Sequence, residues 1–444
     1  MSPDPERSQQ EQVAACFRRS RLTLEQLWTR YFALGGAQTR LDVDAYLHGL
    51  VPLPRIDRDM LAHAVNERLD ELSGPRRAPY SRPLPATKPE HGPLRALVDL
   101  LEGTHLAPPE RLPSVVARAG RALDLRIRVY LADYDQRLLV PLPSAGSGPL
   151  DIETTVAGDV FRRAGTAVES GVLWTVLLDG VERLGVLEIE PTAGTDPEDP
   201  VLRQQSDWLA TLIGHLVTVM TQYGDGLDVQ RRQQHRDSPA ELLWQALPPL
   251  TGATEAVVVG ASVRPAYELC ATAFDYALSE HRAHLALFDA EPGGSTSGLA
   301  IVAALSAYRA TRRDGAALAG QHEAVGEAAG APAISGVVAE LDVRTGDLHV
   351  LATGPEAPVL IHGGEAGGTH ERLRPGELVA FSSRWAVDGE SAFGRAGVAE
   401  VLRRYEDLPV PEIAHRITEA VAGHYSDELP RDLGVVVVRW TPSS

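Results

Sequence analysis

Apolar residues recur at helical spacing near the start of the chain: Leu24, Leu27, Trp28, Tyr31 and Phe32. Thr23 lies just before this series and Gln26 follows three positions later, which is the pattern of a capping box at the start of a helix. Two further periodic stretches end at Pro or Gly, which are typical helix terminators. The pattern predicts a small helical domain over 21–75, after a mobile, disordered polar tail over 1–20 and before a Pro- and Arg-rich linker over 76–93.

The pattern changes after this linker, where short apolar runs alternate with helical ones. Strands are predicted over 127–142, and a hairpin over 172–191 turns at Asp179-Gly180. A long amphipathic helix closes the series. This order indicates an α+β sensor module over 94–226 that is similar to a GAF domain.

A connecting helix is predicted over 227–249. Ser238 is its expected N-cap, Pro239 takes the first helical position and Glu241 the third. A helix in this place either carries a signal between its neighbours, by rotating or dimerising, or is a plain connector.

The last block, 250–444, again alternates strand and helix patterns. A turn over 344–347 joins two apolar strands, which predicts a hairpin. Adjacent hairpins with apolar helices between them indicate antiparallel sheets covered by helices. The predicted fold class is therefore multidomain α+β, with an N-terminal helical unit, a GAF-like α+β middle domain and a C-terminal domain of sheets flanked by helices.

Composition narrows the classes of function. The formal net charge of −18 argues against binding to nucleic acid or to anionic membranes, which favour basic surfaces. There are two cysteines, Cys16 and Cys270, so a disulfide framework is not expected and a reducing compartment fits. The polar start and the lack of a long apolar run predict a cytoplasmic location.

Six segments of the last part of the chain carry a family resemblance. They are 241–250 (ELLWQALPPL), 264–268 (RPAYE), 273–276 (AFDY), 285–290 (LALFDA), 354–360 (GPEAPVL) and 393–394 (FG). In this order they resemble PPM-type serine/threonine phosphatases of the sporulation-protein-E, or RsbU-like, class, which reverse the phosphorylation of anti-sigma-factor antagonists. The resemblance implies a β-sandwich between helix layers, and the front helical unit resembles a module that precedes such domains in actinobacterial proteins.

The family places two divalent metal ions on aspartates, and these ions activate the water that attacks phosphorus. Carried over position by position, the first motif has Thr272 in place of its aspartate, and the third has Ser383. The second motif keeps Asp289. In the fourth motif Arg431 stands at the usual ligand position, and Asp432 follows it. The resemblance therefore implies a phosphatase fold that is degenerate at its metal motifs.

Asp289 and Asp432 are the candidate vestigial metal ligands that remain, Asp432 only if the fourth motif slips by one residue. Asp289 is either a residual ligand or a leftover at a strand end. With so few carboxylates, two cations would repel each other, so ordinary metal binding is expected to be weak. No cofactor is expected, with Mn or Mg implied only if activity remains. Arg384 and Arg431 either grip a phosphate group or are unrelated surface arginines.

Three further residues have two interpretations each. Cys270 is either a redox thiol or a small buried apolar residue. Tyr134 and Trp174 either line a small-molecule pocket in the sensor-like module or belong to its core. Other acidic residues, such as Asp275 or Asp388, could occupy the vacated ligand positions.

Three functions follow from these patterns. The first is a pseudophosphatase that regulates an anti-sigma/antagonist partner-switching pathway without hydrolysis. The second is a metal-dependent protein phosphatase with altered or residual activity. The third is a GAF-like ligand sensor whose last domain is a dimerisation platform. The expected partner is an anti-sigma antagonist or a related phosphoprotein, with a homodimer as a second expectation and neither nucleic acid nor membrane as a partner.

Overall fold

The computed structural model describes residues 5–72, 78, 91–143, 148–192, 194–291, 293–328, 334–354, 357–362, 365–388 and 391–442. The chain forms two compact units, residues 1–90 and 91–444. The mixed α+β class is confirmed. Most of the expected linker over 76–93 lies outside the described residues. The other predicted domain boundaries remain predictions.

The first unit contains four helices: α1 (Pro5–Ser20), α2 (Leu24–Ala33), α3 (Arg40–Leu47) and α4 (Arg55–Glu71). The capping box at the start of α2 is confirmed, since Thr23 and Gln26 each accept a hydrogen bond from the other's backbone N–H. The tail expected over 1–20 differs from the structure, because residues 5–20 are helical. Polar residues dominate α1, but Val13 and Cys16 share a narrow apolar stripe that is buried against α4.

The second unit begins with a six-stranded antiparallel sheet in the order β3-β2-β1-β6-β5-β4. Its strands are β1 (Leu125–Ala132), β2 (Leu138–Pro141), β3 (Leu150–Asp151), β4 (Thr166–Glu169), β5 (Val172–Asp179) and β6 (Glu182–Pro191). Its helices are α5 (Pro93–Thr104), α6 (Leu112–Arg121), α7 (Val156–Arg163) and α8 (Pro200–Thr221). The hairpin predicted at Asp179-Gly180 is confirmed as β5–β6.

Helices cover both faces of this sheet. Residues Ile127, Val129 and Leu131 of β1 pack in the cluster that contains α5, α6 and α8. The alternate residues Tyr130 and Ala132 pack in the cluster that contains α7. This period of two explains why β1 is apolar at every position from Val129 to Ala132.

The connecting segment holds two short helices, α9 (Gly226–Arg231) and α10 (Ser238–Ala246). The sequence predicted Ser238 as the N-cap of α10, but the N-cap is Asp237. The carboxylate of Asp237 accepts a hydrogen bond of 2.9 Å from the backbone N–H of Ala240. This N–H lies in the first turn of the helix and has no partner within the helix, so Asp237 takes the capping role that was expected of Ser238.

Two sheets form the last part of the chain, in the orders β15-β12-β11-β10-β9 and β14-β13-β16-β17-β8-β7. The strands are β7 (Thr251–Ala253), β8 (Val257–Arg264), β9 (Thr272–Leu278), β10 (Arg282–Ala290), β11 (Ile334–Asp342), β12 (Asp347–Thr353), β13 (Val359–His362), β14 (Glu365–Ala366), β15 (His370–Arg372), β16 (Leu378–Ser382) and β17 (Leu433–Trp440). The helices are α11 (Ser295–Arg313), α12 (Leu318–Ala328), α13 (Arg384–Val387), α14 (Arg395–Arg404) and α15 (Val410–His424).

The two sheets share one core and carry helices on their outer faces. Along β17, Val436 and Val438 pack with residues of the five-stranded sheet. The alternate residues Val435 and Val437 pack with α14 and α15. On the far side, α11 and α12 contact the five-stranded sheet. The result is a β-sandwich between helix layers.

A buried ion pair joins the sensor-like sheet to the last part of the chain. Arg183 on β6 lies 2.9 Å from Glu412 on α15, and their side chains are 3% and 1% exposed. Arg416, one turn along α15, pairs with Glu153 at 2.7 Å. Among the described residues, no helix is long and apolar enough to cross a membrane.

Candidate functional site

Strand ends bring the predicted site residues together. Thr272 opens β9 and lies directly opposite Asp289 near the end of β10. Ser383 follows the last residue of β16, and Asp432 precedes the first residue of β17. Because β16 and β17 are neighbours in the second sheet, both residues reach the same edge of the sandwich as the first pair. Thr272, Asp289 and Asp432 line one pocket of about 60 Å³.

Two hydroxyl groups hold the carboxyl group of Asp289. Thr272 Oγ1 donates to Asp289 Oδ1 at 2.7 Å, and Ser383 Oγ donates to the same oxygen at 3.1 Å. The backbone N–H of Gly434 donates to Ser383 Oγ at 3.0 Å and so fixes that hydroxyl. Two of the three residues that stand at the expected aspartate positions, Thr272 and Ser383, are therefore direct partners of Asp289.

Asp432 is bound to the backbone. Its Oδ2 accepts hydrogen bonds from the backbone N–H groups of Cys270 and Ala271, at 2.7 and 2.6 Å. The residue is 8% exposed. Asp432 thus anchors the segment that leads into β9.

Burial shifts the protonation of both carboxyl groups. It raises the pKa of Asp289 to about 7, while the Thr272 and Ser383 hydroxyls oppose the shift. It raises the pKa of Asp432 to about 6, against the hydrogen bonds from Cys270 and Ala271. Asp289 is therefore partly protonated near neutral pH, whereas a metal ligand must be ionised.

The two arginines of the third and fourth motifs differ. Both line the pocket. Arg384 donates from Nε to the Ala357 carbonyl at 2.9 Å and pairs with Asp388 at 2.8 Å, so it is held in place by protein groups. Arg431 is exposed, and no hydrogen bond or ion pair engages it among the described residues. Of these two arginines, Arg431 is the one whose guanidinium group is unpaired in the described part of the chain.

Asp275 and Asp388, which the sequence offered as replacements for the missing ligands, form ion pairs with arginines. Asp275 is 2% exposed and lies 2.7 Å from both Arg309 and Arg312. Asp388 pairs with Arg384 and Arg395. Neither aspartate lines the pocket.

These residues do not fit a pair of divalent metal ions. In the part of the chain that the structure describes, no group of three or more His, Cys, Asp or Glu side chains could hold a metal ion. Asp289 and Asp432 already accept two hydrogen bonds each, and burial favours their neutral forms. Glu291, which is exposed, is the third carboxyl group of the pocket lining. Mg²⁺ and Mn²⁺ require several oxygen ligands with negative charge, which this arrangement does not supply.

Trp385 was missed by sequence reasoning. It lines the pocket, and its indole N–H donates to the carbonyl of Asp432 at 2.9 Å. Its position directly after the third motif was the available signal. Of the two aromatic residues predicted for the sensor-like module, Trp174 packs against Tyr130, whereas Tyr134 lies elsewhere, against Trp244. The burial of Cys270 raises its thiol pKa to about 11, which opposes the redox interpretation.

Comparisons with known proteins give structural matches only. No family model matches the chain, and no curated protein matches it in sequence. The crystal structure of the RsbU and RsbW domains of Rv1364c from Mycobacterium tuberculosis is 16% identical, with a TM-score of 0.34, over 43% of this chain and 63% of that one. The PP2C phosphatase domain of SpoIIE from Bacillus subtilis, with a fragment of its regulatory domain, is 14% identical, with a TM-score of 0.35, over 43% and 66%.

The SiaA PP2C domain of Pseudomonas aeruginosa is 16% identical, with a TM-score of 0.35, over 41% of this chain and 85% of that one. This chain therefore spans less than two thirds of the first two proteins. Two of these three structures are of PP2C domains, and at these TM-scores the matches say nothing about the substrate or activity of this chain.

Proposed function

We propose that this chain is a pseudophosphatase, a regulator that holds a phosphorylated protein without hydrolysing it. The observation that carries this proposal is the enclosure of Asp289 by the hydroxyl groups of Thr272 and Ser383. The resemblance implies metal-binding aspartates at positions 272 and 383, and the chain has hydroxyl groups there, which donate hydrogen bonds to Asp289 and add no negative charge.

The proposed partner is a phosphoserine- or phosphothreonine-containing protein of the anti-sigma antagonist kind. Arg431 supports this choice, because it is exposed at the pocket and its guanidinium group can bind two phosphate oxygens. The pocket that it lines has a volume of about 60 Å³, which is small and suits a single phosphoryl group at its entrance. The sequence resemblance to phosphatases of anti-sigma antagonists supplies the class of partner.

Metal binding is the first test of this proposal. Titration of the chain with Mn²⁺ by calorimetry should give no saturable binding, and a phosphoserine antagonist protein should not be turned over. The triple variant T272D/S383D/R431D should gain Mn²⁺ affinity, because it restores a carboxylate at each replaced position. Saturable binding of two Mn²⁺ ions by the unaltered chain, with turnover abolished by Asp289→Ala, would establish the alternative, an altered metal-dependent phosphatase.

Phosphoprotein binding is the second test. Arg431→Ala should weaken binding of the phosphorylated antagonist, and the unphosphorylated antagonist should bind equally to both forms. Arg313→Ala is the matched control, since Arg313 is also exposed but lies at the end of α11. Equal affinity for the phosphorylated and unphosphorylated antagonist would contradict the proposal.

A further inference from the structure

A second cavity, much larger than the pocket around Asp289, lies between the sensor-like sheet and the connecting segment. Its volume is about 640 Å³. Its walls come from the loop after β1, the β5–β6 hairpin, the end of α8, both helices of the connecting segment, and β7. No residue of this cleft lines the Asp289 pocket. The volume falls within the range of small-molecule sites.

Three arginines of the connecting segment lie along one side of the cleft: Arg231, Arg232 and Arg236. The guanidinium groups of Arg231 and Arg236 lie 4.6 and 4.1 Å from the centre of the Tyr134 ring. Arg236 also lies 5.1 Å from the ring centre of Trp244. Aromatic rings thus hold two cations at the cleft wall.

The three arginines differ in their partners. Arg232 is neutralised, because it pairs with both Asp228 and Glu241. Arg231 donates from Nε to the carbonyl of Ala132 and has no carboxylate partner among the described residues. Arg231 and Arg236 can therefore still bind an anionic group.

Arg236 is the unusual member of this group. Its side chain is 3% exposed, and Glu241, its ion-pair partner among the described residues, lies 3.6 Å from Nη1. Arg236 also interacts electrostatically with Asp135. Its Nε and Nη2 are buried, and neither has a hydrogen-bond partner in the described part of the chain. These two nitrogens form one edge of the guanidinium plane, and their parallel N–H bonds match the two oxygens of a carboxylate or phosphate. Buried donors without an acceptor are rare in native proteins and call for a missing partner.

We propose that this cleft binds a small anion that presents two oxygens of a carboxylate or phosphate group to Arg236 and Arg231. Carboxyl groups that also line the cleft limit the total negative charge of the ligand; they belong to Asp133, Asp179, Glu182, Asp225, Asp228 and Glu241. Glu182 Oε2 is buried without a partner among the described residues. Burial raises the pKa of Glu182, so its protonated form can donate a hydrogen bond to the ligand.

Such a ligand would contact three parts of the second unit at once. Tyr134 belongs to the loop after β1, Arg236 and Trp244 belong to the connecting segment, and Thr251 belongs to the first strand of the sandwich. Binding would therefore stabilise the arrangement of these parts. This inference does not depend on the fate of the metal motifs, because the two sites share no residue.

Calorimetric titration of the full chain tests the site with two probes, inorganic phosphate and succinate, at constant ionic strength set by chloride. Hydrogen exchange of the segment 225–250 is followed in parallel. We expect one probe to bind saturably and to increase protection of this segment, which distinguishes a phosphate ligand from a carboxylate ligand. Arg236→Gln should weaken binding by about tenfold or more, since a charge-assisted bidentate contact is lost.

Because Arg236 is buried and its replacement could disturb folding, Arg231→Gln provides a second variant at a partly exposed position. Arg126→Gln is the control, since Arg126 pairs with Glu190 on the sheet and does not line the cleft. The proposal fails if neither anion binds saturably, or if both cleft variants bind with the affinity of the control.

Discussion

Thr272 Oγ1 donates a 2.7 Å hydrogen bond to Asp289 Oδ1 across the directly paired ends of β9 and β10. The resemblance to metal-dependent phosphatases predicts an aspartate at position 272, and the chain has a hydroxyl group there. This hydroxyl group donates to the carboxyl group of Asp289, so a side-chain contact joins the ends of the two strands.

The raised pKa of Asp289 predicts a pH-dependent stability. Below about pH 4 the carboxyl group is protonated in both the folded and the unfolded chain, so it has no effect on the difference between them. As pH rises from about 4 to 7, the unfolded chain loses this proton while the folded chain retains it, so stability falls. Asp289→Asn removes this loss and should be more stable than the unaltered chain at pH 8, by about 1–4 kcal/mol, with a smaller difference at pH 5.

Urea unfolding at pH 5 and pH 8 measures this difference, and Asp342→Asn is its control. Asp342 accepts hydrogen bonds from the backbone N–H groups of Arg344 and Thr345, which lower its pKa. Its ionised form therefore stabilises the fold, so its replacement should show the opposite sign. If the free energies of unfolding of Asp289→Asn and the unaltered chain differ by the same amount at both pH values, the pKa of Asp289 is not raised in the folded chain.

The burial of the ion pair Arg183–Glu412 predicts that the stability of the second unit depends strongly on this one contact. Arg183 also donates to the carbonyl of Arg162 at 3.1 Å, so it is enclosed by acceptors. Glu412→Gln removes the charge of one partner and leaves the arginine buried, which should cost roughly 3–5 kcal/mol in the free energy of unfolding. Urea unfolding of the full chain measures the change.

An exposed pair provides the comparison for this variant. The side chains of Arg126 and Glu190 are 57% and 40% exposed. Glu190→Gln should change the free energy of unfolding by about 1 kcal/mol or less, because solvent screens the pair. A similar decrease in the free energy of unfolding for the two variants would show that the Arg183–Glu412 ion pair contributes no more to stability than an exposed pair.

Motif spacing placed Thr272, Asp289, Ser383 and Asp432 at strand ends, where the structure also has them, because each motif follows or precedes an apolar strand. The role of Asp289 and Asp432 as vestigial metal ligands stays a prediction. The pairing of Thr272 and Ser383 with Asp289 could not be predicted, since it depends on contacts between distant segments. The same holds for Asp432, whose partners Cys270 and Ala271 lie 162 and 161 positions away. A linear pattern contains periodicity and spacing but no side-chain geometry.

Local and tertiary effects also explain the errors in the elements. The helix α1 was missed because polar residues dominate its sequence, and its stability comes from packing of a narrow stripe that includes Val13. The cleft beside Arg236 was missed for a related reason, since its walls come from segments that are separate in sequence. Hairpins and the capping box of α2 were predicted well because a few adjacent residues determine them, whereas the N-cap of α10 was placed one residue too late.

The packing of α1 predicts that residues 5–20 are needed by the first unit. Val13 is fully buried, so Val13→Asp places an unpaired charge in that core. We expect the loss of hydrogen-exchange protection in α2 and α4, measured on peptides of the full chain. Gln12→Asp, at an exposed neighbouring position, should leave protection unchanged. Equal protection in both variants would mean that α1 does not support the unit.

The environment of Cys270 predicts that its thiol reacts slowly with alkylating reagents. Burial and the neighbouring carboxyl group of Asp432 raise its pKa to about 11, so little thiolate is present at neutral pH. Alkylation by iodoacetamide at pH 7.5, followed by mass spectrometry of the peptide that contains Cys270, should be about 100-fold slower than for a free cysteine peptide. Asp432→Asn removes the negative charge, so it should accelerate the reaction and shift its pH profile to lower pH. A reaction as fast as that of the free peptide would mean that Cys270 is a reactive thiol and would reopen a redox role at this pocket.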